Sequence, residues 1–274
     1  MKTLYVSDLD GTLLNSEGRI TAKTAAILND LIGRGLLFSV DTARSLMGVS
    51  IINLRDIHFN LPLILMNGAL LYDTGADRIV DTRLMNRDTV AAVVKLCREQ
   101  GKEPLLYRVN GNRVTDSYTN PTCPFEWEFI RERSRGFGPL FQQVREFDCS
   151  IPAIYFSTQD TYERLKRIGD ALEMLPGIKH VLYQDNYHDN NWYLEVFSDG
   201  GGKDQGMLRL KSFVGAGKTV AFGDNFNDLP MLAAADVALV VGNGQEKVQA
   251  AADQVIGPNT ADGVAEYLQQ FAEF

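Results

Sequence analysis

Short apolar runs separated by amphipathic stretches set the rhythm of both ends of the chain. Leu4-Tyr5-Val6 comes first, and Leu36–Val40, Pro62–Met66, Thr219–Phe222, Val237–Val241 and Val255-Ile256 follow. Runs this short and this apolar read as strands buried on both faces, the habit of parallel sheets. Between them the apolar positions recur at helical spacing. Ile27, Leu28 and Leu31 follow Thr21, a helix cap, and Gly33 and Gly35 end that helix. A second helix is expected to about Leu54, with others over Lys203–Phe213, Leu229–Ala234, Glu246–Ala251 and Gly263–Phe271. This alternation predicts an α/β fold on a doubly wound, Rossmann-like parallel sheet with right-handed crossovers.

The pattern changes after about Asp73. Ile79-Val80 reads as a short strand, and Asn86 or Asp88 caps a helix running to Gly101. Leu105–Val109 and Arg113–Thr115 flank Asn110-Gly111, a strong hairpin signal because both residues tolerate positive φ. Pro121 to Phe147 holds helical pieces broken at Gly136, Gly138 and Pro139. A strand over Ile151–Phe156, a helix capped by Asp160 and ended by Pro176-Gly177, and strands at Val181–Tyr183 and Tyr193–Phe197 complete the stretch. Hairpins mixed with helices predict an α+β unit inserted in the α/β domain. The expected division is a discontinuous core, 1–83 and 191–274, around an insert of 84–190.

Composition narrows the partners more than the fold. The hydrophobic fraction of 45% and charged fraction of 23% are ordinary for a globular protein. A net charge of −8 argues against nucleic acid or an anionic membrane as the main partner, while leaving room for a locally positive site. No apolar run approaches the roughly 20 residues of a membrane helix. Met1-Lys2-Thr3 leads straight into the first strand, and Cys97, Cys123 and Cys149 are scattered. A cytoplasmic protein with reduced thiols is expected, as a monomer or homodimer. His58, His180 and His188 lack the spacing of a zinc site.

The chemistry gathers at strand ends. Asp8 and Asp10 fall at the carboxyl end of the first strand, where open α/β sheets bind ligands. If the strand runs on to Asp10, its alternation points both carboxylates the same way. They then need a cation, and Mg²⁺, a hard ion usually held by one or two carboxylates, is the natural candidate. Solvated turn acids before Gly11 are the plain alternative. Thr42, the Lys203 helix start and Gly223-Asp224-Asn225-Phe226-Asn227-Asp228 are further polar clusters able to converge at the same sheet edge.

Taken in order, Asp8-Leu9-Asp10-Gly11-Thr12, Thr42-Ala43-Arg44, Asn67-Gly68-Ala69, Lys203 and the Gly223–Asp228 run resemble the haloacid dehalogenase superfamily. Within it, the large insert after the third strand resembles the Cof-type, subclass IIB phosphatases. The resemblance implies that Asp8 is a nucleophile forming an aspartyl-phosphate, and that Asp10 protonates the leaving group and then deprotonates water. It implies a Mg²⁺ held by Asp8, the Asp10 carbonyl and Asp224. Leu9 and Ala43 would offer N–H groups to phosphate, Thr42 its hydroxyl and Lys203 its charge. Asn227 would bind phosphate or position Lys203, and Asp228 would orient Lys203 or a metal-bound water. Thr12 would orient Asp10. Arg44 would hold phosphate, meet the insert, or simply be a first-turn arginine.

Two departures from the pattern stand out. Ala43 replaces the usual glycine, which puts a positive φ there in question. Asp204 follows Lys203 where glycine is common, and reads as a cap or first-turn acid, favourable by about 0.3–1 kcal/mol. Asn67-Gly68-Ala69 either shapes a substrate mouth or is a plain turn. Tyr187, His188, Asn190 and Trp192 are candidate substrate contacts, or a solvated loop. The expected function is a Mg²⁺-dependent phosphatase of a small phosphorylated metabolite, whose insert acts as a mobile cap that excludes water and selects the substrate. The alternatives are a phosphomutase or phosphotransferase of the same superfamily, and a non-catalytic sensor of a phosphorylated ligand.

Overall fold

In the computed structural model, residues 2–137, 141–185, 188 and 190–273 are described. Their contacts divide the chain into two compact units, one of 1–81 with 202–274 and one of 82–201.

The first unit is built on a five-stranded parallel sheet. Its order is Gln254–Ile256, Val237–Val241, Lys218–Gly223, Thr3–Ser7, Leu37–Val40. The first strand of the chain is thus central, with Ser7 opposite Phe222 on one side and Val40 on the other. A parallel bridge between Asp41 and Ile64 carries the edge on to Leu63–Leu65, which heads an antiparallel ribbon with Leu70–Asp73 and Arg78–Thr82. Strand alternation separates the faces. Leu4, Val6, Ala221 and Val240 pack with Met207, Leu210, Met231 and Val248 from helices of the C-terminal third. Tyr5 points the other way, where its hydroxyl accepts the Glu273 N–H at 2.7 Å, and Phe222 meets Tyr267 edge-on at 5.7 Å. Helices therefore cover both faces, as a doubly wound sheet requires. Each fully buried Leu, Val or Met side chain contributes roughly 1.5–3 kcal/mol relative to exposure.

The expected helices and strands of this unit form, with one exception. The segment after Asp41 does not run as one helix to Leu54. It makes a short helix, Leu46–Ser50, capped by Ser45, and then a 3₁₀ turn at Asn53–Asp56. Thr42 therefore caps no helix; its Oγ1 accepts the Arg44 N–H at 3.2 Å.

The second unit is a six-stranded sheet in the order Ile178–Gln184, Trp192–Ser198, Tyr155–Asp160, Leu105–Asn110, Arg113–Tyr118, Phe141–Gln143. The helices Arg87–Glu99 and Tyr162–Leu172 bury Val90, Val93, Val94, Leu165, Ile168 and Leu172 against Leu106, Phe156, Leu194 and Val196. The Asn110-Gly111 hairpin forms with Asn110 opposite Arg113. The strand expected at Ile151–Phe156 lies instead at Tyr155–Asp160, and Thr161 rather than Asp160 stands at the N-cap of the next helix. Asp160 is otherwise engaged: with Glu126 it flanks the fully buried Lys102 ammonium, at 3.2 and 2.9 Å. The chain returns to the first unit at Gly202, not at 191, because Trp192–Ser198 pairs with strands of the second sheet on both sides. Breaks expected at Gly138 and Pro139, and the candidate contact Tyr187, lie outside the described residues.

Candidate active site

The first strand ends one residue before its acid. Asp8 still donates its N–H to Phe222 O at 2.9 Å, but Leu9–Leu13 winds into a π-type turn closed by Leu14 N–H to Leu9 O at 2.8 Å. The strand therefore does not run on to Asp10, and the two acids take different partners. Asp8 turns to Lys203 and Asp10 to Arg44. Gly11 sits in this turn at φ 86, and a Cβ there would lie 2.3 Å from Asp224 Oδ2. Only glycine allows the backbone both this conformation and this approach.

Lys203 is the hub. Its Nζ lies 2.5 Å from Asp8 Oδ1 and 2.6 Å from Asp228 Oδ1, and all three side chains are buried. Its position is set by the first turn of the Lys203–Val214 helix, whose N-cap is Gly202 at φ 114. That glycine donates its N–H to Asn67 O at 2.8 Å. Met66, Asn67 and Gly68 all have positive φ, and a Cβ on Gly68 would lie 2.1 Å from Gly202 O. Asn67-Gly68-Ala69 is therefore the seat of the lysine helix. Asp204 is a first-turn acid and not the cap.

Asp228 does more than meet Lys203. Its other oxygen accepts the N–H groups of Asp224 and Asn225, both at 3.0 Å, folding the loop after Lys218–Gly223 back on itself. Asp224 Oδ1 accepts the Thr12 hydroxyl at 2.7 Å. Thr12 thus orients Asp224, not Asp10. Asp10 is held by Arg44 through both oxygens, Nε to Oδ2 and Nη2 to Oδ1, each at 2.6 Å. Arg44 is neither a free phosphate ligand here nor a plain surface residue. Among the described residues Lys203 meets only Asp8 and Asp228 by hydrogen bond, so Asn227, which is half-buried, does not position it. Thr42 is buried and Ala43 half-buried, and Ala43 has no positive φ.

Charge in this pocket is unbalanced. Asp8, Asp224 and Asp228 each offer an oxygen within 4.8 Å of the others, against one ammonium. Burial lifts Asp8 well above the usual carboxylate range, with Lys203 opposing and Asp228 and Asp224 adding to the rise. Burial and Asp228 raise Asp224 to about 7, although Thr12 and Lys203 pull it down. Burial works to lower Lys203, but Asp228 and Asp8 outweigh it, and the ammonium stays above the ordinary lysine range. A hard divalent cation fits this donor set, since it would neutralise the surplus carboxylates with oxygen ligands alone. One residue missed in the sequence stands beside the group. Asp41 is fully buried with no hydrogen-bond partner for either oxygen among the described residues. Nothing in its sequence context marks it except its place at the end of a strand.

The chain is similar to known proteins in sequence and in fold. A putative phosphatase of Haemophilus influenzae is 26% identical over 274 residues, covering 96% of each chain. The pyridoxal phosphate phosphatase of Escherichia coli is 26% identical over 278 residues, covering 95% of each. The 5-amino-6-(5-phospho-D-ribitylamino)uracil phosphatase of Bacillus subtilis is 24% identical over 298 residues, covering 98% of each. Among solved structures, a haloacid dehalogenase-like hydrolase from Bacteroides thetaiotaomicron shares the fold with a TM-score of 0.78 at 22% identity, covering 98% of this chain and 99% of that one. A sugar phosphatase of subclass IIB does so with a TM-score of 0.76 at 24% identity, covering 99% of both. The family model for haloacid dehalogenase-like hydrolases matches residues 5–268, and the chain belongs to that family.

Proposed function

We propose that the protein is a Mg²⁺-dependent phosphatase that hydrolyses a small phosphorylated metabolite through an aspartyl-phosphate on Asp8. The observation that carries this reading is the buried set of Asp8, Asp224 and Asp228 around the single Lys203 ammonium, 2.5 Å from Asp8. Asp8 and Asp224, with the Asp10 carbonyl, would hold the cation, which when bound supplies charge against the phosphoryl oxygens. Lys203 adds a fixed positive charge, and burial makes it count for more than in water. Thr42 Oγ1 and the N–H groups of Leu9 and Ala43 bind the remaining phosphate oxygens, joined by Asn227.

Asp8 attacks phosphorus, the bond to the leaving oxygen breaks, and Asp10 delivers a proton to that oxygen. Water then attacks the phosphorus of the acyl phosphate and returns a proton to Asp10, freeing Asp8 and phosphate. Asp10 becomes a proton donor only if Arg44 yields one of its two contacts, so Arg44 is read as the residue that positions Asp10 between steps. The pyridoxal phosphate and ribitylaminouracil phosphate phosphatases among its relatives place their substrate classes first in a screen. The test is phosphate release from p-nitrophenyl phosphate with Mg²⁺, and its loss in EDTA. Asp8→Asn should fold normally without turnover, and full activity in that variant overturns the mechanism.

A further inference from the structure

Asp41 is the buried acid that the reaction above does not use. Its backbone is fixed on both sides: its N–H donates to Ser7 O at 2.9 Å and it bridges Ile64 in parallel register. Its side chain has 0% exposure, and neither oxygen finds a hydrogen-bond partner among the described residues. Its Oδ2 lies 3.3 Å from the point where a Cβ on Gly206 would begin, under the first turn of the helix that carries Lys203. The charged groups that act on it electrostatically are Lys203, Asp204 and Arg209 of that helix and Asp228 from the loop after Lys218–Gly223. Arg209 is engaged by Asp81 at 2.9 Å and by Gly68 O. Lys203 has two of its three donors committed, to Asp8 and Asp228.

A carboxylate taken out of water without hydrogen bonds is costly, so this site favours the neutral acid. Burial pushes its pKa well above the ordinary range, outweighing the pull of Lys203. A threonine, serine or valine would fill such a place without that penalty. An acid that costs stability and touches no partner makes sense through what it does to its charged neighbour.

We propose that Asp41 is a positioning residue that acts through Lys203. While Asp41 is neutral, Lys203 is shared by Asp8 and Asp228 alone; once ionised, Asp41 competes for the ammonium and draws it from Asp8. The proposal rests on the phosphatase reading and adds to it an internal limit on the alkaline side of the rate profile.

Asp41→Asn keeps the shape and the neutrality. With p-nitrophenyl phosphate and Mg²⁺, its kcat at the wild-type optimum should stay within about twofold, with KM unchanged. The wild-type rate should fall on the alkaline side, and Asp41→Asn should move that limb up by about one pH unit or more. A second readout needs no substrate. A folded-state carboxyl raised above its unfolded value makes the wild type lose stability as pH rises from about 4 towards the folded pKa. The Tm advantage of Asp41→Asn should therefore grow from near zero at about pH 4 to several degrees at about pH 7. Asp41→Ala should give the same alkaline limb if the asparagine does not fold. Superimposable rate profiles in active enzymes, or a wild-type rate flat on the alkaline side, overturn the positioning role. A Tm difference independent of pH overturns the neutral state. Absence of turnover in both proteins, with the pH-dependent Tm gain present, overturns the phosphatase reading instead.

Discussion

Both oxygens of Asp10 are bound by one guanidinium, that of Arg44, at 2.6 Å each. The fork of arginine matches a carboxylate in a way that lysine cannot. Arg44→Lys should keep the charge and lose the fork, and Arg44→Ala should lose both. Hydrogen bonds to charged groups contribute about 1.5–3 kcal/mol, so kcat should fall roughly 10- to 100-fold in Arg44→Ala, with a smaller fall in Arg44→Lys. Steady-state kinetics across pH check this. A loss confined to KM would instead make Arg44 a substrate ligand.

Removing Lys203 leaves Asp8 and Asp228 buried without their cation. Breaking a buried pair in this way costs about 3–5 kcal/mol. Lys203→Met should be markedly less stable in urea denaturation and have no measurable turnover. Mg²⁺ should restore part of the stability.

Burial and Asp228 raise Asp224 to about 7. Its folded pKa lies above the unfolded one, so it disfavours the metal-free fold increasingly as pH rises from about 4 to about 7, and then levels off. A cation binds the carboxylate, so Mg²⁺ affinity should rise with pH over the same window. Thermal melts with and without Mg²⁺ from about pH 5 to about pH 8 measure both. A Mg²⁺-induced Tm shift that is constant across that range contradicts the assignment.

Gly11→Ala puts a Cβ where Asp224 Oδ2 now lies and strains a backbone at φ 86. Strain of this kind costs about 1–3 kcal/mol. The variant should bind Mg²⁺ more weakly by calorimetry, with a far-UV CD spectrum close to wild type.

In the second unit, Lys102 is buried between Glu126 and Asp160. Lys102→Met should destabilise that unit by about 3–5 kcal/mol. Hydrogen exchange should rise across Tyr155–Asp160 and Pro124–Phe137, the segments that Asp160 and Glu126 belong to.

The parallel sheet and most of its helices were legible because buried strands and amphipathic helices leave separate periodicities. Thr21, Asn86 and the Asn110-Gly111 turn sit where local chemistry places them. What was not legible depends on bonds made across the chain. Thr12 turns to Asp224, 212 residues away, and Arg44 to Asp10, 34 residues away. No spacing rule links such pairs. Asp41 and the triple left-handed turn at Met66–Gly68 were missed for the same reason: each answers to the approach of the Lys203 helix. The end of the second unit was misplaced because Trp192–Ser198 looks like any buried strand until its neighbours are known.

The central place of Thr3–Ser7 has a consequence for biogenesis. It leaves the ribosome long before one of its two neighbours, Lys218–Gly223. Until then its open edge can pair with another nascent chain. Asp8 meets Lys203 only after 195 further residues have been made. Asp8, the proposed nucleophile, thus stays unarmed until the Lys203 helix has been made, and a chain truncated before Lys203 should be both inert and prone to aggregate.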